Sequence, residues 1–143
     1  MIKKILLFLL IAVLVAVGIG VYLWNKPHRT AADEDPVAIQ TATEICLECM
    51  ENEAAAWDKY KDKVIQIKGE IESISTDASG KTQLVLKTTV EMQSVSVTLM
   101  EGETAAGFSP GMEIEIKGIF TGFLNDIFGE VQLNQGVIVT ELQ

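Results

Sequence analysis

The chain is poor in the residues that build metal centres and covalent frameworks. Its 143 residues include one histidine and two cysteines, and aromatic residues make up 6%. One histidine cannot form a His-based zinc site, and two cysteines cannot form the disulfide framework of a small secreted domain. The composition excludes both classes, and we expect no metal site and no cofactor.

Basic residues are scarce beyond the amino end. The chain has 11 Lys+Arg against 20 Asp+Glu, a formal net charge of -9. Residues 1–32 contain four of the basic residues and none of the acidic ones, so residues 33–143 hold 7 bases and 20 acids, a charge of -13. Such a domain repels a phosphate backbone, which argues against nucleic acid as a partner.

Residues 5–24 form an uninterrupted apolar run. Twenty residues at 1.5 Å each span the roughly 30 Å of a bilayer core. Tyr22 and Trp24 stand at the far end, where amphipathic rings favour the membrane–water interface. We predict a stub over residues 1–4 and one transmembrane helix over 5–24 in contact with membrane lipid. A cleaved signal peptide is the alternative, and its apolar region is usually shorter, at about 7–15 residues.

The flanking charges bear on orientation. Lys3, Lys4 and the α-amino group precede the apolar run, whereas Lys26 and Arg29 follow it. The positive-inside rule and the short stub favour a cytoplasmic amino end. We therefore predict a single-pass protein of the bacterial inner membrane, with its carboxy-terminal domain outside the cytoplasm, on the periplasmic side.

Small residues recur on one face of the predicted membrane helix. Ala12, Ala16 and Gly20 are spaced four apart, and such a stripe lets two membrane helices pack closely. Alanine and glycine are also common in any such segment. A dimer formed through this stripe therefore stays an open hypothesis.

Residues 25–40 are predicted to be a tether. Pro27 and Pro36 break helices, and His28, beside the membrane, is expected to be solvated rather than catalytic. Asp33 to Asp35 form a charge run without the alternating spacing of a calcium loop. The folded domain is then expected over residues 41–143.

A helix is predicted at the start of this domain, over residues 42–60. Thr41 and Glu44 form a capping box, and the apolar positions that follow keep helical spacing. These positions are Ala42, Ile45, Cys46, Cys49, Met50, Trp57 and Tyr60.

Alternating apolar residues predict five strands over residues 63–141. The inward positions are Ile65, Ile67 and Ile71; Leu84 and Leu86; Val95, Val97 and Leu99; Met112, Ile114 and Ile116; and Val131, Leu133, Val137 and Val139. The spacing between Ile71 and Ile74 predicts a bulge near Glu72 and Ser73. A helix, three strands, a connector over 101–111 and two more strands match the five-stranded oligonucleotide/oligosaccharide-binding barrel, the OB-fold.

The chain resembles a family of small bacterial membrane-tethered proteins known as OB-fold lipoproteins or tRNA-anticodon-like (tRNA_anti-like) proteins. The similarity is carried by the segments Tyr22-Leu23-Trp24-Asn25-Lys26-Pro27-His28-Arg29, Asn52-Glu53-Ala54-Ala55-Ala56, Lys63-Val64-Ile65-Gln66-Ile67-Lys68-Gly69, Gly111-Met112-Glu113-Ile114-Glu115-Ile116-Lys117-Gly118, Thr121-Gly122-Phe123-Leu124 and Leu133-Asn134. The resemblance implies an OB barrel on a tether and no established activity. No lipid-attachment cysteine follows the apolar run, so lipidation does not carry over.

Two candidate chemistries have simpler explanations. Cys46 and Cys49 form a C-x-x-C inside the predicted helix, whereas a redox pair needs its first cysteine at a helix amino terminus. We expect buried thiols, with a thiol-redox protein as an alternative.

Paired carboxylates on the first and fourth strands interleave with lysines, and we expect them on a solvated outer face. They are Glu70, Glu72, Glu113 and Glu115.

Single-strand binding needs exposed aromatic residues beside basic ones. The second and third strands are predicted to face outward with Gln83, Val85, Lys87, Ser94, Ser96 and Thr98, a set without an aromatic residue. We expect Phe120, Phe123, Phe128 and Leu124 to plug the barrel end or to pack against Trp57 and Tyr60.

We therefore predict a noncatalytic, membrane-anchored OB-fold module that binds or scaffolds an envelope protein or a small ligand. The candidate binding residues combine apolar bulk with free polar groups near a turn. They are Trp57, Phe123, Leu124, Asn125, Asp126 and Asn134. A nucleic-acid-binding OB domain is the alternative if the domain is cytoplasmic.

Overall fold

The computed structural model describes residues 1–26 and 29–142. Pro27, His28 and Gln143 lie outside the described residues, and so do the predictions made for Pro27 and His28. The elements are α1 (Ile2–Trp24), β1 (Ile39–Thr41), α2 (Ala42–Glu51), α3 (Glu53–Tyr60), β2 (Val64–Thr76), β3 (Thr82–Lys87), β4 (Gln93–Leu99), β5 (Glu113–Leu124) and β6 (Gly129–Leu142).

Five strands close into a barrel in the order β2-β3-β4-β6-β5, and β5 pairs back to β2. The long β2 makes closure possible because it serves both neighbours. Its residues 64–70 pair with β5, and its residues 71–76 pair with β3. The register shifts between Ile71 and Ser73, which confirms the predicted bulge. The predicted OB-fold barrel with a flanking helix is confirmed.

The barrel core consists mostly of aliphatic side chains that the alternation predicted to face inward. Ile65, Ile67, Leu84, Leu86 and Ile114 are all fully buried. The prediction was wrong at the end of β6, where Val139 is 43% exposed and Ile138 packs against the core instead, because the β5–β6 register shifts there. The packing is tight where β4 and β6 run parallel. A Cβ at Gly136 would lie 2.5 Å from Val97 Cγ1, so only glycine fits there.

The helical segment is broken, whereas one continuous helix over 42–60 was predicted. The capping box is present, with the Glu44 amide donating to Thr41 Oγ1 at 3.2 Å and the Thr41 amide to Glu44 Oε2 at 2.7 Å. Asn52 then adopts an extended conformation, φ -153°, and its side chain accepts from the Ala55 amide. Asparagine caps a helix better than it continues one, so α3 starts afresh and changes direction.

The folded domain begins earlier than the predicted boundary at residue 41. Within the segment predicted to be tether, β1 pairs in parallel with β2, and the Val37 amide donates to the Val64 carbonyl at 2.8 Å. Ala31 is fully buried. Arg29 donates to the Asp62 carbonyl at 2.7 Å and forms an ion pair with Glu34. These contacts hold residues 29–41 against the barrel, so the prediction of a free tether through residue 40 was wrong for that part.

Helix α1 has all its side chains exposed and is long and apolar enough to cross a membrane. A signal sequence near the amino terminus has the same properties. Ala12, Ala16 and Gly20 are exposed along it, and nothing lies within 4 Å of a Cβ built on Gly20. The stripe therefore has no packing partner among the described residues of the single chain.

Candidate functional site

An open groove of about 530 Å³ lies between α3 and β5. It is lined by Glu53, Ala54, Trp57, Phe120, Gly122 and Phe123. The Trp57 ring stands over Gly122, where an added Cβ would lie 3.8 Å from the ring. Because glycine has no side chain, the indole rests near the strand backbone and leaves the space beside it open.

The groove floor is a set of packed aromatic rings. Phe120 is buried and meets Trp57 edge-to-face, with 6.2 Å between ring centroids, and it meets Tyr60 at 5.9 Å. Such geometries add to the stabilisation that burial provides. The prediction that these rings pack together is confirmed for Phe120. Trp57 keeps 38% of its surface exposed, so its outer face is free to contact a ligand.

Charges of both signs lie at or near the groove. Lys61 Nζ lies 5.1 Å from the Trp57 ring centroid, in a cation–π arrangement. Glu53 lines the groove, and Asn125 Nδ2 lies 3.5 Å from its Oε2. A ligand with an apolar body and polar ends would match this surface.

A hydrogen-bond network on Glu48 holds α3 in place. Tyr60 Oη donates to Glu48 Oε2 at 2.7 Å, Gln40 Nε2 donates to the same oxygen at 2.9 Å, and Lys59 Nζ lies 2.5 Å from Oε1. Burial opposes ionisation, but the three hydrogen bonds outweigh it and lower the pKa of Glu48 to about 2. The carboxylate therefore stays ionised and links β1, α2 and α3, which positions Tyr60 beneath Phe120.

The cysteines are free and buried on α2, as the helical spacing predicted. Burial raises the pKa of Cys46 to about 12 and the pKa of Cys49 to about 11, with a further contribution from neighbouring charges. Cys46 Sγ donates to the Ser94 carbonyl at 3.6 Å. Both thiols are protonated at neutral pH, and a nucleophilic thiol has the opposite property.

The carboxylate pairs lie on the outer barrel face, as predicted. Lys68 Nζ is 3.0 Å from Glu115 Oε1, and Gln66 Nε2 donates to Glu115 Oε2 at 2.8 Å across the β2–β5 pair. Glu70 faces Glu113 directly in the register and both are exposed. This is a solvated lattice of mixed charge.

The structure brings together only part of the predicted binding set. Trp57 and Phe123 line the groove, and Asn125 contacts its rim. Leu124 ends β5, and Asp126 belongs to the β5–β6 turn, where its carboxylate accepts from the Ile127 amide at 2.8 Å. Asn134 on β6 pairs with Ile119 and does not line the groove, and its side chain accepts from the Gln135 amide at 2.8 Å.

A second hollow, of about 470 Å³, lies on the outer side of β3 and β4. Its wall includes Phe128, which was expected at the plugged end and is instead 69% exposed. Lys87 and Met92 line it too. The backbone path of the β5–β6 turn determines which way Phe128 points. The alternation of apolar residues in the neighbouring strands does not predict that path. Ser96, predicted to face outward, is buried and bonded to Gln83.

The sequence profile of the tRNA_anti-like family matches residues 1–136. The chain belongs to the tRNA_anti-like family. A crystal structure at 2.46 Å resolution of a "putative nucleic acid-binding lipoprotein" from Klebsiella pneumoniae subsp. pneumoniae has the same fold. The two share 16% identity with a TM-score of 0.56, over 71% of this chain and 92% of that one. No curated protein is similar enough to match.

The family profile thus shows that the chain belongs to the tRNA_anti-like family, and the similar crystal structure has the same fold. At 16% identity the likeness to the Klebsiella protein extends to the fold only. The groove over Phe120 and the hollow beside Phe128 are features of this chain's own residues. Among the described residues, no group of three or more His, Cys, Asp or Glu is arranged to hold a metal ion.

Proposed function

We propose that this tRNA_anti-like protein is a noncatalytic binding module of the cell envelope, held at a membrane by α1. The groove between α3 and β5 receives an apolar or aromatic segment of an envelope protein or of a small ligand. The observation that carries the proposal is the partly exposed Trp57 ring over Gly122, with Phe123 lining the same groove. Partly exposed aromatic residues in concave sites are typical anchors for partners.

The titratable groups near the groove support a role without catalysis. An acid–base residue needs a pKa near the working pH, whereas the pKa of Glu48 is lowered to about 2 and its oxygens are occupied by Gln40, Lys59 and Tyr60. The thiols of α2 are protonated and buried. These groups stabilise the fold around the groove and leave recognition to the aromatic side chains.

The anchor and its orientation follow from the charge pattern on either side of the apolar run. The α-amino group, Lys3 and Lys4 precede the apolar run over residues 5–24, whereas Lys26 and Arg29 follow it. We propose a periplasmic domain on this basis. Protease treatment of spheroplasts producing the full chain tests it: loss of the domain with a protected amino-terminal fragment is expected, and full protection would contradict it.

Photo-crosslinking tests the groove in the native cells. A benzophenone amino acid at Phe123 of the full chain is expected to give a discrete adduct, and the same group at Ser79, in the exposed β2–β3 turn, is the matched control. Adding Trp57→Ala to the Phe123 variant should reduce the adduct without lowering the melting temperature by more than a few degrees. Equal adducts from both positions, or an adduct indifferent to Trp57, would overturn the groove as the binding site.

A second candidate function is nucleic-acid binding through the other hollow. The exposed Phe128 lines this hollow with Lys87, a combination that single-strand binders use. The acidic Glu72 and Glu91 line it as well and oppose a phosphate backbone. Fluorescence anisotropy with a labelled single-stranded oligonucleotide tests this candidate. If it holds, Phe128→Ala weakens binding about 5- to 100-fold, since stacking contributes about 1–3 kcal/mol. No binding at low salt eliminates it, as the charge of -13 over residues 33–143 predicts.

A further inference from the structure

Large apolar side chains are exposed together at one end of the barrel. Leu124 at the end of β5 is 53% exposed, Ile127 and Phe128 in the β5–β6 turn are 74% and 69% exposed, and Met92 in the β3–β4 loop is 62% exposed. The loop and the turn are adjacent, because the Gly129 amide donates to the Met92 carbonyl at 3.0 Å. We call these four residues the apolar end. A contiguous apolar surface on a folded domain marks a place of contact with a partner or a membrane.

The chain that leaves α1 reaches the domain toward this same end. β1 lies opposite residues 66–68 of β2, and earlier residues run toward the start of that strand until Arg29 contacts the Asp62 carbonyl at 2.7 Å. The Asp62 amide in turn donates to the Phe120 carbonyl at 3.2 Å. Phe120 is four residues before Leu124 on β5, so the entry point and the apolar end share one strand.

Chain lengths limit how far the apolar end can lie from the bilayer. The five residues from Trp24 to Arg29 span at most about 18 Å when fully extended. The four residues from Phe120 to Leu124 add about 13 Å along β5. Together these two stretches measure about 31 Å, so the apolar end is close enough to the end of α1 for the domain to rest this end on a membrane that holds α1.

The surface between the entry point and the apolar end also has the composition of an interface region. Trp57 is partly exposed there with Lys61 Nζ over its ring, and Lys63 is exposed beside the Lys59 carbonyl that its Nζ contacts at 2.7 Å. Tryptophan and lysine are the residues that favour the headgroup level, where the ring is half-buried and the ammonium group meets phosphate.

We propose that the apolar end rests on the lipid surface, with Leu124, Ile127 and Phe128 in the bilayer interface. This inference rests on the proposed anchoring by α1. It adds that the groove beside Trp57 opens at the membrane surface, so its ligand is an apolar segment presented from the bilayer. A lipid surface is favoured over a second copy of the chain because the short tether keeps this end within reach of the membrane in every molecule.

Depth-dependent quenching tests the proposal on the full chain. The Ile127→Cys chain is labelled with the fluorophore NBD and reconstituted in vesicles of phosphatidylethanolamine and phosphatidylglycerol, with and without brominated phosphatidylcholine. Ser79→Cys is the matched control, because Ser79 lies in the β2–β3 turn, at the opposite end of the barrel from the apolar end. The chain without an introduced cysteine reports background, which the buried native thiols keep low. Flotation of the vesicles reports anchoring separately.

The expected result is blue-shifted emission and quenching by brominated lipid at position 127, with neither at position 79. Adding Leu124→Asp should abolish the quenching while the chain still floats with the vesicles. A chain that floats but shows aqueous emission at 127 overturns the proposal and leaves the anchor intact. If the NBD emission at position 127 shifts with protein concentration and is not quenched by brominated lipid, the apolar end contacts a second copy of the chain, and the proposal is overturned. A chain that fails to float contradicts the anchor as well.

Discussion

Replacing Glu48 tests whether the hydrogen-bond network beneath the groove stabilises the domain. The pKa of this carboxyl is lowered from 4.5 to about 2, against the opposing effect of burial, by bonds from Gln40, Lys59 and Tyr60. Each pKa unit corresponds to about 1.4 kcal/mol, and solvent contact at a side chain 30% exposed reduces the total to about 2–3 kcal/mol. We expect Glu48→Gln to lower the free energy of unfolding by about this amount at pH 7.

The pH dependence has a definite sign. Because the pKa of Glu48 is lower in the folded state than in the unfolded state, its stabilisation is present above about pH 4.5 and is lost as the pH falls toward 2. The natural chain and the Glu48→Gln chain should therefore converge in stability between pH 4.5 and 2. Carboxyls such as Glu44 and Asp77, whose pKa values are also lowered, are present in both chains, so their effects cancel in the difference.

Urea unfolding of the full chain in nonionic detergent, followed by circular dichroism, measures this difference. Glu51→Gln is the matched control, since Glu51 is exposed on the same helix, and it should change the stability by less than about 0.5 kcal/mol. Equal stabilities of the natural and Glu48→Gln chains at pH 7, or a difference that does not shrink on acidification, would refute the reasoning.

Three other predictions concern the core. Phe120→Ala removes the ring between Trp57 and Tyr60 and should cost about 3–5 kcal/mol in urea unfolding; a loss below about 1 kcal/mol would contradict its buried position. Cys46 and Cys49 should resist maleimide in the native protein and react only at the unfolding rate, and rapid labelling at pH 7 would disprove their burial. Gly136→Ala should cost about 1–3 kcal/mol because its Cβ would collide with β4.

Several features of the fold could be predicted because they are local patterns. The twofold alternation of aliphatic residues predicts the core-facing side of β2 to β5 and of the start of β6, and the capping box at Thr41 specifies where α2 begins. The alternation fails at the end of β6, where Val139 is exposed, and it does not predict the burial of Ser96 on β4. The three-residue step after Ile71 required a bulge, which the register shift confirms. The length of the apolar run likewise determined that α1 is long enough to cross a membrane.

Other features depend on contacts between distant residues. The end of the predicted tether joins the barrel because β1 pairs with residues 66–68 of β2, on the edge of that strand that does not pair with β5. The helix breaks at Asn52 because the Asn52 side chain accepts a hydrogen bond from the Ala55 amide and so caps a new helix, α3, instead of continuing α2. Of the predicted binding residues, Asn134 pairs with Ile119 next to Phe120 but does not line the groove.

The sequence by itself determined the apolar helix, the acidic domain and the succession of strands along the chain, because charge balance and hydrophobic period are properties of consecutive residues. Only the tertiary structure decided which aromatic residues stay exposed. Phe120 is enclosed by α3, whereas Phe128, eight residues later, points outward from the turn. Exposure depends on what packs from elsewhere in the chain, so the groove, the second hollow and the apolar end exist only once the barrel has closed.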